Sequence, residues 1–419
     1  MLKQKKLKIS LLVFATLFVV DTFSVFQFNL FKPYDINLRP AVWKNTKWQV
    51  SLTGEFGLKT VGYGEEEKSG ILQIWQECQD CLAMLKGFDP CTKAAQLAQK
   101  INVDDDDGIR GHVVPKAHLD LNYNMSAALR YHFPKDFTLD FFLPIMSMKM
   151  SNLEFCDKTK DVTFDDVETK RLLTDNLAKN LKDLGDLDLS PWERTGFGDF
   201  VVMLEWLRDF PQDKSLLKNV RLNVRGGLSF PTGKKRDEDK IMALAFGNDG
   251  AFGIIPGGGL DLTLSKWIKA GADLEFLILF GDVRDRRIKT DVAQTDLFLL
   301  QKAKAHIDYG LTHRFNLFLE AHKVLKGLSL RATYQYWKHE DDKFILKGNQ
   351  FIESTANSAV SLEDWTLHNA IFTMSYDFQD SMSEDARFKP YLSAFYKCPL
   401  NGKKSILAHT AGFVAALSF

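Results

Sequence analysis

The sequence predicts an all-β protein, a single transmembrane antiparallel β-barrel of about 12 strands with partly helical extracellular loops. Three observations predict it. Twelve segments alternate apolar and polar residues, the connections between them alternate between short and long, and the chain joins an export-like start to an aromatic end. A period of two indicates strands with one apolar face, and a barrel wall in lipid needs such a face on every strand.

Composition excludes several other classes of protein. Apolar residues make up 45% of the 419 residues, charged residues 26%, and the mean hydropathy is −0.18. These values fit neither a disordered chain nor a bundle of membrane-spanning helices. Because 54 basic residues balance 54 acidic ones, the chain has no basic excess for nucleic acid, and we expect no nucleic-acid partner.

The first residues are typical of an export signal. Lys3, Lys5, Lys6 and Lys8 precede the mainly apolar stretch 9–20, which is too short for a comfortable membrane span. We predict a signal peptide at 1–24 with its cleavage site left open, the alternative being an uncleaved anchor. Residues 25–47 then form a periplasmic or plug segment, and 48–419 form the barrel.

The twelve alternating segments exceed, in most cases, the 9 to 11 residues that a tilted strand needs to cross a membrane. In 118–133, for example, the odd-numbered positions from Leu119 to Phe133 are apolar, and most even-numbered ones are polar. We expect all of these apolar side chains to face lipid. The segments are 48–62, 118–133, 137–150, 197–210, 220–230, 250–264, 268–280, 304–321, 328–340, 365–379, 388–398 and 405–419.

The connections place the two ends of the barrel. Short turns such as 134–136 and 265–266 are typical of the periplasmic side, and the long loops, above all 63–117 and 151–196, are expected outside the cell. Helical composition at 70–88 and 91–101, together with a stripe of Leu173, Leu177, Leu181 and Leu184, predicts helices in the first two loops. They could cover the pore or pack on the rim.

All five cysteines fall in or beside the predicted outer loops. An extracellular compartment favours disulfides, although an odd number leaves at least one thiol unpaired within the chain, and the partners stay open. A zinc site at Cys78-x-x-Cys81 is the less favoured alternative, and we expect no metal and no cofactor. The candidate disulfide residues are Cys78, Cys81, Cys91, Cys156 and Cys398.

The polar faces of neighbouring strands carry charges of both signs. Such side chains either select solutes along a water-filled path or pair across strands and fill a narrow barrel. The sequence favours neither alternative over the other. The candidate lumen and substrate-path residues are Arg221, Arg225, Lys269, Asp273, Glu275, Lys304, His306, Asp308, Arg314, Glu320 and Arg331.

Catalytic motifs are poorly matched. The stretch from Gly227 to Lys235 has the wrong spacing for a phosphate-binding loop, and Gly257-Gly258-Gly259 is more typical of a bent strand than of a nucleotide site. The His-x-Ser pattern that outer-membrane phospholipases carry on a strand does not occur in the sequence. We therefore assign no catalytic residue and expect no enzyme activity.

Two short motifs and the last strand carry a family resemblance. Thr195-Gly-Phe-Gly-Asp199 precedes one strand and Ser229-Phe-Pro-Thr-Gly233 ends the next. The pair resembles the signature of outer-membrane transporters from the meta-pathway of phenol degradation, which are similar to long-chain fatty-acid transporters. Phe413, Leu417 and the terminal Phe419 resemble the signal read by the bacterial barrel-assembly machinery. The long cysteine-bearing first loop and the helical second loop depart from the family pattern.

The resemblance implies a bacterial outer-membrane channel or transporter for passive uptake of small, aromatic or apolar solutes through the lumen. The expected partners are outer-membrane lipid and lipopolysaccharide, the barrel-assembly machinery, and a small-molecule solute. The alternative is a non-transporting surface barrel that anchors adhesive or partner-binding loops.

Overall fold

The computed structural model describes residues 30–40, 46–104, 108–382 and 386–419. The signal peptide predicted at 1–24 lies outside the described residues. Within them, twelve long strands form one antiparallel barrel, and the predicted fold class is confirmed. The strands are β1 (Trp48–Tyr63), β2 (His112–Phe133), β3 (Phe137–Asp157), β4 (Phe200–Pro211), β5 (Asn219–Phe230), β6 (Phe252–Thr263), β7 (Ile268–Phe280), β8 (Thr312–Leu325), β9 (Leu328–His339), β10 (Trp365–Asp377), β11 (Lys389–Lys403) and β12 (Ser405–Ser418).

The barrel closes at β1. This strand pairs with β2 along one edge, from Trp48 opposite Tyr131 to Glu55 opposite Asn124, and with β12 along the other. The terminal Phe419 exchanges two backbone hydrogen bonds with Trp48, at 2.8 and 2.9 Å. Every other neighbouring pair follows the chain order, so each strand of the barrel has a partner on both sides.

The outer surface is apolar, as lipid contact requires. Leu222, Leu274, Leu317 and Phe372 all point outward with more than a third of their surface exposed. Trp206 and Trp267 lie near the end with the short turns, as interfacial aromatic residues do. In the described part of the chain, no helix is both long and apolar enough to span a membrane.

The longest hairpin, β2 and β3, rises beyond the membrane. Its strands have 22 and 21 residues, which at about 3.3 Å per residue gives a length of roughly 70 Å. A lipid-facing band is only about 25 Å tall. The loops predicted at 63–117 and 151–196 are therefore shorter than expected, because β2 begins at His112 and β3 continues to Asp157.

A β-bulge in β2 overturns part of the predicted lipid face. The register with β3 shifts between Leu121 and Tyr123, and a one-residue bulge reverses which side chains point inward. Leu119 and Leu121 are consequently buried inside, whereas Leu129 is exposed to lipid. The uninterrupted outward face that alternation predicted for 118–133 is wrong at these two leucines.

The outer loops pack into a cap over the barrel. The helix predicted at 91–101 is present as Lys93–Lys100, whereas 70–88 is mostly turns with a single 3-10 turn at Ala83–Leu85. Leu173, Leu177 and Leu181 of the predicted stripe are buried in the cap core, and Leu184 packs against it. The α-helices are α1 (Lys93–Lys100), α2 (Phe164–Thr169), α3 (Leu177–Gly185) and α4 (Glu353–Ala356), with a π-helical turn at Lys170–Thr174.

The remaining short elements belong mostly to the loops. Three strands form a separate antiparallel sheet above the barrel: Val283–Arg287, Lys302–Asp308 and Lys343–Leu346. Trp192–Phe197 continues the line of β4 beside β3. The other short elements are the strands Lys68–Ser69 and Gln79–Asp80 and the 3-10 turns Ile36–Leu38, Asp296–Phe298, Val360–Leu362 and Phe378–Ser381.

The lipid face can be tested with one charge. Leu317 lies near the middle of β8, opposite Ala272 and Tyr334, and faces outward. We expect Leu317→Arg to lower the free energy of unfolding in lipid vesicles by about 2–4 kcal/mol, because the guanidinium must then lie in hydrocarbon. Denaturant titration followed by tryptophan fluorescence measures this loss. Leu216→Arg, in the exposed turn 212–218, is the matched control, and an equal loss in both variants would contradict a lipid-facing position.

Candidate functional site: the barrel interior and the segment inside it

The interior of the barrel is polar and nearly closed by its own side chains. Buried charges from the strands meet near mid-height, and residues 30–40 lie among them. This segment is part of neither the wall nor the cap. Its contacts with the wall define the candidate site, which consists of residues 30–40 and the charged side chains around them.

Asp35 connects the segment to β8 and β9. Its carboxylate forms an ion pair with Arg314 at 2.9 Å and accepts a hydrogen bond from Gln335 at 2.9 Å. It also caps the 3-10 turn Ile36–Leu38 by accepting from the backbone N–H of Asn37 at 3.0 Å. The Asn37 amide in turn donates to Asn316 at 2.9 Å. One buried carboxylate thus fixes both the shape of the segment and its position against the wall.

Arg39 connects the segment to the opposite side of the barrel. Its guanidinium pairs with Glu205 at 3.0 Å and with Asp140 at 3.5 Å. Arg130 of β2 reaches the same two carboxylates, at 3.3 and 2.9 Å, and donates a hydrogen bond to the carbonyl oxygen of Pro40 at 3.0 Å. Two arginines therefore share two buried carboxylates, and one of these arginines belongs to the segment.

The start of the segment is held by β1 and β11. The backbone N–H of Phe31 donates to Glu55 at 2.8 Å, and the same carboxylate pairs with Lys397 at 2.9 Å. Asn124 completes the contact by donating to the carbonyl oxygen of Phe31 at 2.9 Å. Phe31 itself packs with Leu38, Ile371 and other apolar side chains in a small buried cluster.

Arg225 is the centre of the charge network on the wall. Its fully buried guanidinium bonds Asp273 at 2.6 and 2.7 Å and Glu275 at 3.0 Å. Glycine makes room for it on the neighbouring strand, because a Cβ atom at Gly257 would come 3.0 Å from its Cζ atom and one at Gly259 only 2.8 Å from Asp273. The glycine run is thus part of a strand, as the sequence indicated, and its lack of side chains leaves space for the ion pair of Arg225 and Asp273.

A second charge cluster lies nearer the end with the short turns. Glu320 pairs with Arg331 at 2.6 Å, with Lys269 at 3.8 Å and with His322 at 2.9 Å. Arg221 pairs with Asp209 at 2.9 Å on the adjacent strands β4 and β5. Side chains of opposite charge in this cluster again pair across strands.

The structure brings together eight of the eleven predicted lumen residues. Arg221, Arg225, Lys269, Asp273, Glu275, Arg314, Glu320 and Arg331 lie in these two clusters inside the barrel. The other three lie elsewhere, in the strand Lys302–Asp308 of the sheet above the barrel. They are Lys304, His306 and Asp308.

The single strand predicted at 304–321 is wrong, because the strand Lys302–Asp308 ends before β8 begins at Thr312. The N–H of Gly310 donates to the Asp342 carboxylate at 3.1 Å, and a Cβ atom there would lie 2.0 Å from the Glu340 carbonyl oxygen. The close approach draws the chain away from the wall. Because the alternation keeps its parity across the break, periodicity alone could not reveal two strands.

Sequence reasoning missed several interior charges and the anchoring residues of the segment. A usable signal existed for most of them, because Glu55, Asp140, Glu205 and Lys397 are charged residues within weaker strand segments and Arg130 lies on the polar face of the segment 118–133. Asp35 and Arg39 gave no such signal, since they precede the first strand. The missed residues are Asp35, Arg39, Glu55, Arg130, Asp140, Glu205 and Lys397.

Above the charged layer the interior becomes apolar. Tyr34 of the segment packs in one buried cluster with Phe142, Met203, Ile307 and other side chains from the wall and the loop sheet. Arg314 also lies against this layer, with its guanidinium carbon 5.8 Å from the centre of the Tyr34 ring. A path from the loops to the charged layer inside the barrel therefore crosses this apolar zone.

The two motifs that carry the family resemblance, 195–199 and 229–233, contact each other in the wall and together form one joint. The Asp199 carboxylate accepts hydrogen bonds from the backbone N–H groups of Gly233, at 2.9 Å, and Asn248, at 2.5 Å. Thr232 accepts from the N–H of Phe200 at 2.8 Å. A Cβ atom at Gly233 would lie 2.0 Å from the Phe246 carbonyl oxygen, so a larger residue does not fit. The joint fixes the loop 231–251 to the start of β4.

A network of arginines and carboxylates holds the loops together above the apolar zone. The Asp249 carboxylate binds both Arg284 and Arg286. Burial by itself would raise the pKa of Asp249, but the two guanidinium groups hold that pKa below its usual value. Arg286 also donates to Tyr309 at 3.2 Å, and burial raises the pKa of that phenol.

The structure contradicts the disulfide prediction. All five cysteines carry free thiols: Cys78, Cys81, Cys91, Cys156 and Cys398. Cys81 is buried in the cap core, and Cys91 is exposed. Strand β2 separates Cys156 from Cys78, because Gln79, the neighbour of Cys78, pairs with one edge of β2 and Cys156 pairs with the other. Cys398 belongs to β11 and pairs with Ala370 of β10. In the described ranges, no group of three or more His, Cys, Asp or Glu side chains is placed to hold a metal ion.

Solved structures of other proteins share this fold. The outer-membrane channel COG4313 from Pseudomonas putida F1 matches with a TM-score of 0.51 and 11% sequence identity, over 93% of this chain and 100% of that one. At this identity the likeness concerns the fold alone. The chain has the fold of a bacterial outer-membrane β-barrel. Neither a family model nor a curated protein sequence matches it.

Two further matches are more distant. A FadL homologue of Pseudomonas aeruginosa has a TM-score of 0.30 at 9% identity, covering 89% of this chain and 90% of that one. The toluene transporter TbuX of Ralstonia pickettii has a TM-score of 0.33 at 10% identity, covering 89% of each chain. These scores are too low to carry an argument about this barrel.

The loop network predicts a dependence of stability on pH. Because the pKa of Asp249 is lower in the folded protein than its usual 3.8, its stabilising effect is present above pH 3.8 and disappears as the pH falls through the lowered value. We expect Asp249→Asn to destabilise the cap by about 1.5–3 kcal/mol at pH 7, since it removes the carboxylate that Arg284 and Arg286 share and leaves them only their longer contacts with Asp282 and Glu238. The difference from the unmodified protein should shrink below pH 3.8.

Limited proteolysis of the outer loops at pH 7 and at pH 3 measures this effect. Asp213→Asn, in an exposed turn at the other end of the barrel, is the control and should match the unmodified protein at both pH values. A difference at Asp249 that persists unchanged at pH 3 would show that the carboxylate charge does not hold the loops.

Proposed function

We propose that this protein is a passive outer-membrane channel or transporter for small aromatic or apolar solutes, and that residues 30–40 close its lumen. The observation that carries the proposal is the buried, ion-paired contact of the segment with opposite sides of the wall through Asp35 and Arg39. No covalent chemistry is required. The name of the Pseudomonas putida protein, an outer-membrane channel of the same fold, supports the same role.

The cost of buried charge favours a transport role over a purely structural one. Placing many ionised side chains in a barrel interior requires desolvating them, and apolar side chains of similar volume would stabilise a simple anchor at least as well. Glu55, Glu205 and Arg225 are nevertheless almost completely buried. Charges that water can reach when a segment moves away would regain their hydration, and such an interior suits a lumen that opens.

The apolar zone around Tyr34 supports an apolar solute class. A solute that enters from the loops meets Phe142, Met203 and Ile307 before the charged layer, and these side chains favour aromatic and aliphatic surfaces over ions. The resemblance of 195–199 and 229–233 to the phenol-pathway transporters implies the same class.

Removing the segment's contacts should open the channel. We expect Asp35→Ala combined with Arg39→Ala to raise the frequency of open events in planar bilayers at least tenfold, because the three ion pairs of these side chains with the wall are lost. Deleting 25–40 should give a permanently open lumen. The control is Asp213→Ala combined with Lys214→Ala, which removes one charge of each sign from an exposed turn.

Conductance and solute uptake are the two readouts. Liposome swelling with a small neutral aromatic compound should rise in parallel with the conductance of the double variant. Absence of both in the folded protein lacking 25–40 would overturn the channel proposal. A closed deletion variant that still takes up the aromatic compound would show that residues 30–40 do not close the path.

The packed cap favours a second candidate, a surface barrel whose loops bind a partner. Its core joins side chains from at least four loops into one buried cluster, so the outer surface is a stable platform. If the barrel only anchors this platform, then all variants of residues 30–40 remain non-conducting while the cap still resists protease. That pair of results separates the alternative from the channel.

We further propose that the barrel-assembly machinery and the lipid and lipopolysaccharide of the outer membrane are partners of the barrel. Phe413, Leu417 and Phe419 lie on the outward face of β12, where the assembly machinery could read them, and Phe56 stacks on Phe413 with ring centres 6.4 Å apart. Lipid and lipopolysaccharide would surround the apolar band. Both proposed contacts are made by apolar side chains on the exposed outer face of the barrel.

A further inference from the structure

The cap contains a small cavity directly above the apolar zone. Its volume is about 110 Å³, and it lies between the loops 231–251, 281–311 and 340–364, with Trp75 of the first loop on one side. Ile307, Tyr309 and Phe344 line it. The same three side chains pack in the cluster that contains Tyr34 of residues 30–40, so the cavity adjoins the apolar zone on its loop side.

Two hydrogen-bond donors at this cavity lack partners. Within the described ranges, neither Nε of Arg286 nor the indole Nε1 of Trp75 has a hydrogen-bond acceptor, and both atoms are buried. Arg286 is only 3% exposed. A buried donor without an acceptor costs roughly 1–3 kcal/mol. Both groups are donors, so the missing partner must offer a hydrogen-bond acceptor.

The charges at the cavity already balance within the protein. Four cationic side chains and four carboxylates line it, and seven of the eight have an oppositely charged neighbour, whereas Asp342 accepts a hydrogen bond from the N–H of Gly310 at 3.1 Å. The ion pairs are Arg236 with Glu238, Lys240 with Asp188, Arg286 with Asp249, Arg287 with Asp239, and Asp296 with Lys289. A charged ligand would have to compete with these pairs. A neutral ligand would leave them intact.

The walls set the size and the apolar character of the ligand. Leu297, Leu299 and Leu362 line the cavity beside Phe344, so part of its wall is apolar, and a fully apolar cavity of about 150 Å³ accommodates benzene. A space of about 110 Å³ therefore suits a ring of five or six heavy atoms.

We propose that this cavity binds a neutral, ring-sized apolar molecule that carries one hydrogen-bond-accepting oxygen, such as a small cyclic ketone or ether. The oxygen accepts from Trp75 and Arg286, and the ring packs against the leucines. The inference rests on the proposed uptake of small apolar solutes and names the chemistry that the cap selects before the lumen.

Three probes of similar size test the ligand class on the full-length protein in detergent. Cyclopentanone has the ring and the acceptor, cyclopentane lacks the acceptor, and cyclopropanecarboxylate adds a charge. In ligand-observed NMR titrations we expect cyclopentanone to bind about tenfold more tightly than either of the others. Equal affinity for the carboxylate, or no saturable binding of the ketone, would overturn the proposal.

Two variants locate the binding. Trp75→Phe keeps an aromatic ring but removes the N–H donor, so it should weaken cyclopentanone binding about fivefold and leave cyclopentane unchanged. Leu299→Phe fills the cavity and should abolish saturable binding of both, and its residual signal measures partition into detergent. Trp206→Phe, near the periplasmic end of β4, is the matched control and should change neither. An unchanged ketone affinity in Trp75→Phe would contradict the assigned donor.

The cavity site and the channel function are tested by separate experiments, so one proposal can be contradicted without the other. The titrations need no membrane potential and no open lumen, whereas conductance and swelling need no cap ligand. Ketone binding without flux would contradict the channel alone, and flux without ketone binding would contradict the cavity site alone.

Discussion

The pairing of β1 with both β2 and β12 is the constraint on which the rest of the structure depends. In hydrocarbon no water satisfies an exposed backbone N–H or C=O group, so a sheet can stay in a membrane only when it has no free edge. The contact of Phe419 with Trp48 completes the last rung of that closure. Once the sheet is closed, every strand must direct one face to lipid and the other to a narrow interior, and this fixes where polar side chains can go.

The interior then has to accommodate charges in a space with little water. Opposite charges from adjacent strands pair, as Arg225 does with Asp273 and Glu275, and glycine at 257 and 259 provides the room. The pairs on the wall are incomplete without residues 30–40, because Arg314 and Glu205 each use a side chain of the segment as a partner. The segment is thus an electrostatic component of the interior.

The sequence allowed the wall to be predicted well because lipid imposes a strict period on it. All twelve segments correspond to barrel strands, and their parity holds wherever the register is regular. It fails at the β2 bulge, where Leu119 and Leu121 turn inward, and before Gly310, where the chain leaves the wall although its alternation continues. Bulges and breaks depend on contacts between distant residues, which a local pattern does not contain.

The interior was predictable only in part for the same reason. Mid-strand charges such as Arg225 and Glu320 follow from parity, whereas Asp35 and Arg39 enter the lumen from a stretch without any strand pattern. Their role arises only when the closed wall brings Arg314 and Glu205 to opposite sides of one cavity. The missing disulfides are a similar case, since the loop packing that buries Cys81 among apolar side chains leaves no signal in cysteine spacing.

These two levels of constraint also indicate which part of the molecule can move. Widening the wall would break backbone hydrogen bonds in lipid, where nothing replaces them. Withdrawing residues 30–40 breaks ion pairs instead, and the charges that separate are then exposed to water entering the lumen, which offsets much of the loss. The wall is therefore the fixed component and the segment the movable one. Under the proposed function, opening releases residues 30–40 from the wall and leaves the strand register unchanged.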